Sequence, residues 1–257
     1  MSPVTAADVQ ALRARTGVSI LACKEALEEA GGDQEKAIEI LRKRGIAQAV
    51  KKADRGQSEG ALFVAEGKGK AAVVSLRCET DFVGRSDGFL KIGQEIADSV
   101  IAEGLDAAKA KAEARVPDLV NQLGENIALG ELQETMAPVI GTYVHSNRKI
   151  AVVIGLDGGD VAKAKDVAMH SAAMNPLYVT PDEIPADLIT KEKEIWKEQM
   201  KNEKKPEAVL EKIMLGKEKK FREENALVKQ AFVKDPNQTI EQYLGGSKVT
   251  TMIRATV

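Results

Sequence analysis

Apolar positions recur at helical spacing three times within the first fifty residues. Val9 and Leu12 form the inner face of a first helix, and Thr5-Ala6-Ala7-Asp8 ahead of them fits a capping box. After the break at Gly17, Ile20, Leu21, Cys23, Ala26 and Leu27 carry the period of a second helix that Gly31-Gly32 ends. Asp33 caps a third, with Ala37, Ile38 and Leu41 turned inward and Gly45 as its stop. Three short helices predict a small bundle, a docking module rather than the house of a catalytic cleft. The polar, lysine-rich run from Gln48 to Gly60 reads as a fraying helix end and a linker.

The pattern then changes. Gly60 to Glu66 and Ala71 to Cys78 read as two strands joined by a turn at Gly67-Lys68-Gly69-Lys70. Glu79 to Gly84 leaves the second strand, and Phe89, Ile92, Ile96, Val100 and Ile101 mark a helix. One or two helices between Ala107 and Leu123 and a strand near Asn126 to Leu132 follow. The hairpin-then-helix order returns about eighty residues on: strand Gly141 to His145, turn Ser146-Asn147-Arg148, strand Lys149 to Leu156, loop Asp157 to Asp160, then Val161, Ala164, Val167, Ala168 and Ala172 on a helix. This predicts a duplicated α+β core.

Beyond Pro185 the chain is dense in Lys and Glu. Ile189, Trp196 and Met200 form one apolar stripe; Val209, Leu210, Ile213, Met214 and Phe221 form another, with Asn202 to Pro206 between them. Narrow seams on charged helices predict a protruding antiparallel helical hairpin, either a solvated pair or an arm for self-association or a partner. The chain closes with Leu227 to Val233, a turn at Asp235-Pro236-Asn237, a short helix over Ile240 to Leu244 and a strand from Lys248 to Val257, in which Val249, Thr251, Ile253, Ala255 and Val257 share one face. The resulting α+β division is 1–55, helical module and linker start; 56–140, first core subdomain; 141–257, second core subdomain with the helical hairpin at 187–226.

Composition narrows the function. With 37 basic and 39 acidic residues the net charge is -2, which disfavours a nucleic-acid binder held by its field. Aromatics are 4%, too few for base-stacking platforms. Two cysteines and two histidines cannot build a disulfide framework or a four-thiolate zinc site. No basic-then-apolar leader and no membrane-length apolar run is visible, so a reduced, cytoplasmic protein is expected.

Several motifs invite chemistry. The Gly67-to-Lys70 run lacks phosphate-loop spacing, since Leu62 stands where the first glycine belongs. His145 and His170 have no Cys or His partners at metal-ligand spacing, and no nucleophile elbow is present. Cys78, inside a strand, reads as a small buried hydrophobe. Thr80-Asp81-Phe82-Val83 has two readings. The simpler is a capped helix start with Asp81 as N-cap and Phe82 inward. The other is a protruding probe, with the Phe filling a partner's pocket and the Asp competing for donors there.

The chain resembles the bacterial elongation factor Ts family. The resemblance rests on Leu12 to Ser19, Cys23 to Ala30, Gly32-Asp33 with Lys36 to Ile38, Cys78-Glu-Thr-Asp-Phe-Val83, Gly124-Glu-Asn-Ile127, Tyr143-Val-His145, Ala168 to Tyr178, Gly216 to Phe221 and Phe232-Val-Lys-Asp235, in order along nearly the whole chain. It implies a ubiquitin-associated-like N-terminal module. It also implies nucleotide exchange on the GTPase elongation factor Tu without covalent chemistry, metal or cofactor. Asp81 and Phe82, flanked by Thr80 and Val83, would wedge near the partner's magnesium and phosphate site. Val18, Ser19 and Lys24 would contact the same GTPase domain, His145 its phosphate side, and Gly124 and Val233 lie in motifs that meet the partner. No nucleic acid or membrane contact is implied; a homodimer, or a heterotetramer with the GTPase, is compatible with the family. Two departures stand out. Ser146-Asn147-Arg148-Lys149 replaces a commonly glycine-rich turn, and the chain closes at Val257 where longer members carry a further helical module, so a weaker complex is expected. A ubiquitin-associated-type docking or nascent-chain-binding module is the alternative; it leaves Thr80 to Val83 unexplained. An enzyme, lacking a nucleophile–base pair, ranks last.

Overall fold

The computed structural model describes residues 4–200 and 206–257. Helices α1 (Ala6–Thr16), α2 (Ile20–Glu29) and α3 (Gln34–Lys52) begin the chain. The Thr5/Asp8 capping box is present, and Ser19 and Asp33 cap the next two helices. Val9, Leu12, Val18, Cys23, Ala26, Leu27, Ala37 and Leu41 make their shared core. Two expectations are overturned. Ile20 and Leu21 do not turn inward: they are 56% and 66% exposed, because Cys23, Ala26 and Leu27 occupy the buried face of α2. Gly45 does not stop α3, which continues through it to Lys52. The glycine instead admits a neighbour, since a Cβ there would lie 2.8 Å from the Pro117 carbonyl oxygen.

That neighbour is α6 (Leu105–Leu123), one helix where one or two were expected, with Pro117 inside it. Asn121 Nδ2 donates to the Leu41 carbonyl at 3.4 Å, and Gln122 Nε2 donates to the Thr16 carbonyl. The helical module is therefore tied to the core along α6.

The core holds two three-stranded antiparallel sheets. The first has the order β1 (Glu59–Gly67), β2 (Lys70–Cys78), β3 (Ala128–Met136). The second has the order β4 (Val139–Val144), β5 (Ile150–Leu156), β8 (Val249–Thr256). Each is a hairpin whose second strand also pairs with a strand arriving after intervening helices, so the duplication extends past the hairpin. The Gly67-to-Lys70 run is the expected tight turn: Gly67 faces Lys70, and Lys68 and Gly69 take φ of 51° and 73°.

Both faces of the central strands are buried. Leu62, Ala71 and Val73 of the first sheet meet Ala151, Val153, Ile253 and Ala255 of the second in a shared core. On its other face the first sheet packs Phe63, Val74 and Leu76 against α5 (Asp87–Glu103) and α6. The second packs Val152, Ile154 and Leu156 against α7 (Val161–Met174) and α10 (Ile240–Leu244). The expected single face of the last strand breaks at a bulge opposite Gly155 and Leu156, where Thr250 is the extra residue. Ile253 and Ala255 therefore face the other sheet, while Val249 packs toward α7.

Helices α8 (Ala186–Met200) and α9 (Glu207–Asn225) form the expected hairpin. Trp196 meets Phe221 edge-on at 5.8 Å, and Lys193 pairs with Glu218 at 2.6 Å. Val209, placed in the seam by its spacing, is exposed. Of the expected connection over 202–206, residues 202–205 lie outside the described residues. The turn expected at 235–237 falls earlier. Strands β6 (Ala231–Phe232) and β7 (Asp235–Thr239) pair Phe232 with Asp235, leaving Val233 and Lys234 as the two-residue turn.

Candidate functional site

At the exit of β2 the chain makes one helical turn, α4 (Asp81–Gly84), before α5 begins. Thr80 is its N-cap and accepts from the Val83 N–H at 3.4 Å; Asp81, the expected cap, is the first helical residue. This one-residue difference decides where Phe82 points. Gly84 is buried against Cys78 and Gly60, and Val83 packs on the first core. Two residues of a helix are about 200° apart, so Phe82 faces away from Gly84 and outward. Its side chain is 83% exposed, against the expectation of an inward ring. Asp81 pairs across one turn with Arg85 at 3.0 Å.

The base of this turn is braced. Glu125 Oε2 accepts from the backbone N–H groups of Glu79 and Thr80, each at 3.0 Å, and Glu125 Oε1 accepts from the Thr80 hydroxyl. Glu79 Oε1 accepts from the Asn126 N–H at 2.6 Å. Cys78 is buried beneath, donates to the Thr80 carbonyl at 3.2 Å, and has its thiol pushed up to about 11, mainly by burial and next by the Glu125 charge. It is a core residue, as its place in a strand suggested.

His145 and its turn come to the same end of the core. Gly84, Arg85 and Leu90 line a groove of about 440 Å³ together with Ser146, Asn147 and Arg148. His145 is exposed, with Nδ1 2.9 Å from the Tyr143 hydroxyl. Arg148 takes φ of 55°, the backbone form a glycine would supply without strain. Its guanidinium lies 5.5 Å from the Phe63 ring centre, and its carbonyl accepts from the Leu62 N–H at 2.9 Å. These contacts hold the turn without a glycine.

The remaining predicted residues are dispersed. Ser19 caps α2, and Lys24 is exposed near Glu28 at 3.7 Å. Val18 is buried in the module's core, so its side chain is not on the surface. Gly124 ends α6 in the left-handed conformation with φ of 79° and open space about it; its carbonyl accepts from Lys52 Nζ. Val233 is exposed at its turn and its N–H donates to His170 Nδ1 at 3.2 Å. His170 is buried and 2.9 Å from Gln230 Oε1 through Nε2; burial holds its pKa below the ordinary value of 6.5. Glu125 and Arg85 were not singled out by sequence reasoning. The four-residue spacing of Asp81 and Arg85 was a usable signal; nothing local linked Glu125 to Thr80. Among the described residues no three His, Cys, Asp or Glu side chains cluster as a metal set, and no helix is long and apolar enough to cross a membrane.

The surface so built is an exposed aromatic on a braced turn, set on a duplicated α+β core. Residues 79–257 match the family model described as Elongation factor TS. The chain is 41% identical to Elongation factor Ts of Vibrio atlanticus over 100% of its own length and 92% of that protein's. It is 44% identical to Elongation factor Ts of Marinobacter nauticus over 93% and 85%. It is 42% identical to Elongation factor Ts of Francisella tularensis subsp. novicida over 100% and 93%. The chain belongs to the elongation factor Ts family.

Proposed function

We propose that this chain is a guanine-nucleotide exchange factor of translation elongation. It binds the GDP form of elongation factor Tu in the cytoplasm and speeds GDP release, making and breaking no covalent bond. The observation that carries this reading is Phe82: a large ring at 83% exposure beside a carboxylate, on a turn held rigidly from below. Solvent exposure of such a ring gains nothing for this chain alone; burial in a partner's pocket does.

In this reading Asp81 and Phe82, with Thr80 and Val83 as their support, enter near the GTPase's magnesium and phosphate site. His145 precedes the Ser146-to-Arg148 turn that shares a groove with Gly84 and Arg85, and in this reading it meets the phosphate side of the GTPase. The three-helix module, ubiquitin-associated-like in this reading, meets the same GTPase domain through Ser19 and Lys24. The exposed Ile20 and Leu21 supply the apolar area that buried Val18 does not. Gly124 and Val233 belong to further contact motifs. The units 1–55, 56–140 and 141–257 then act as module, wedge-bearing half and second half.

Exchange is linkage: a factor that weakens GDP by some ratio is itself weakened by GDP in the same ratio. The wedge must favour the GTPase conformation that has lost its magnesium and phosphate contacts. Moving such a state from 1:99 to 99:1 takes about 5.5 kcal/mol of differential binding, more than one ring and one carboxylate supply. The module and core contribute the rest.

The test is release of fluorescent GDP from purified elongation factor Tu, followed with increasing amounts of this protein. Acceleration that rises with concentration and saturates supports exchange. An unchanged rate contradicts it and moves the docking-module reading forward.

A further inference from the structure

We propose that Glu125 is the positioning residue of the Phe82 wedge. Its carboxylate sets the angle at which the Thr80–Gly84 turn presents the ring. This rests on the exchange reading above.

One carboxylate meets three donors on two adjacent residues, the N–H groups of Glu79 and Thr80 and the Thr80 hydroxyl. A Thr hydroxyl has one hydrogen and two lone pairs. Here the hydrogen goes to Glu125, which turns a lone pair toward the Val83 N–H that it caps. The brace and the helix cap are therefore one linked unit, and Phe82 sits between the capping oxygen and the capped N–H in sequence. Charge-assisted bonds of this kind are about twice as strong as neutral ones.

A second strut runs alongside. Glu79 Oε1 accepts from the Asn126 N–H and lies 3.5 Å from Arg55. Asn126 Nδ2 donates to the carbonyls of Ala53 at 3.2 Å and Arg55 at 2.8 Å. Lys52 Nζ donates to the Gly124 carbonyl. The end of α3, the loop after α6 and the exit of β2 are thus knotted together just behind Phe82. The knot lies where the helical module joins the core, so the wedge is oriented relative to the module as well as to its own sheet.

The Thr80 donors sit at an exposed position, where water can replace a lost acceptor. Removing the carboxylate therefore costs orientation more than fold stability. Glu125→Gln is the sharp probe. A carboxylate accepts from all three donors with its charge; the Gln amide keeps the shape but loses that charge, and its NH₂ either faces an N–H or makes the Thr80 hydroxyl turn round and accept.

The experiment is saturating GDP release from elongation factor Tu driven by wild type, Glu125→Gln, Phe82→Ala and the double variant. The expected result is a roughly tenfold lower maximal rate for Glu125→Gln, with less change in the concentration for half-maximal effect. The loss vanishes when Phe82 is already Ala, because the brace then has nothing to aim. A wild-type rate for Glu125→Gln, or the same loss in both backgrounds, overturns the proposal. If Glu125→Gln fails to fold, Thr80 decides: Thr80→Val is expected to lose the same factor and Thr80→Ser to retain the rate, and full activity of Thr80→Val overturns the proposal. Absence of acceleration by wild type is a separate result that removes the exchange reading and this inference with it.

Discussion

The Pro117 carbonyl oxygen sits where only a glycine at position 45 can face it, 2.8 Å from where a Cβ would stand. The obstacle is backbone, so it cannot swing aside. Gly45→Ala is expected to push α3 off α6 and cost about 1–3 kcal/mol, the usual range for overpacking. The gain in helix propensity, about 1 kcal/mol, offsets only part of this. Urea unfolding of the variant checks it; a variant as stable as wild type would show that the two helices do not dock closely.

Phe82 and Arg85 make the opposite case. Both are exposed, and their loss leaves no cavity. Phe82→Ala and Arg85→Ala are each expected to change stability by no more than about 0.5 kcal/mol. Phe82→Ala should still lower GDP release from elongation factor Tu by at least about tenfold. Thermal unfolding beside stopped-flow release separates the two effects; a parallel fall in stability and activity would place Phe82 among the structural residues.

His170 makes stability fall toward acid pH. Its ring is buried and accepts the Val233 N–H, and its pKa lies below 6.5. Well above 6.5 the ring is neutral in both states and the full stability is present. As pH falls below 6.5 the unfolded chain takes up the proton first, so stability is lost until the folded ring is protonated too. Urea midpoints between about pH 8 and pH 5 should therefore decline for wild type and run flatter for His170→Gln. Identical pH slopes would contradict this.

Much of the fold was legible because it is local. Two-sided apolar strands around Lys68-Gly69, the α5 stripe and the Trp196/Phe221 seam each declare themselves by period alone. What escaped depends on partners distant in sequence. Gly45 looks like a stop until Pro117 is beside it, and Val249 changes sides only because Thr250 is an extra residue in the pairing with β5. The candidate site shows the same division. Its residue types stood out, but the direction of Phe82 turned on whether Thr80 or Asp81 caps the turn. The capping Thr80 is itself bonded to Glu125, some forty-five residues away, a partner no local pattern announces.

Both thiols should be silent in the native protein. Cys23 and Cys78 are buried, and the Cys78 thiol is raised to about 11, leaving almost no thiolate at neutral pH. A disulfide-exchange reagent at pH 7.5 is expected to label neither within minutes and both after unfolding in guanidinium. Rapid labelling of Cys78 in the native state would mean that the turn above it opens.

The most direct measurement is stopped-flow release of fluorescent GDP from elongation factor Tu, comparing wild type with the Asp81→Ala/Phe82→Ala double variant. Wild type is predicted to accelerate release strongly and saturably, and the folded double variant to lose most of that acceleration. Release by the double variant at the wild-type rate would contradict the assignment of the wedge.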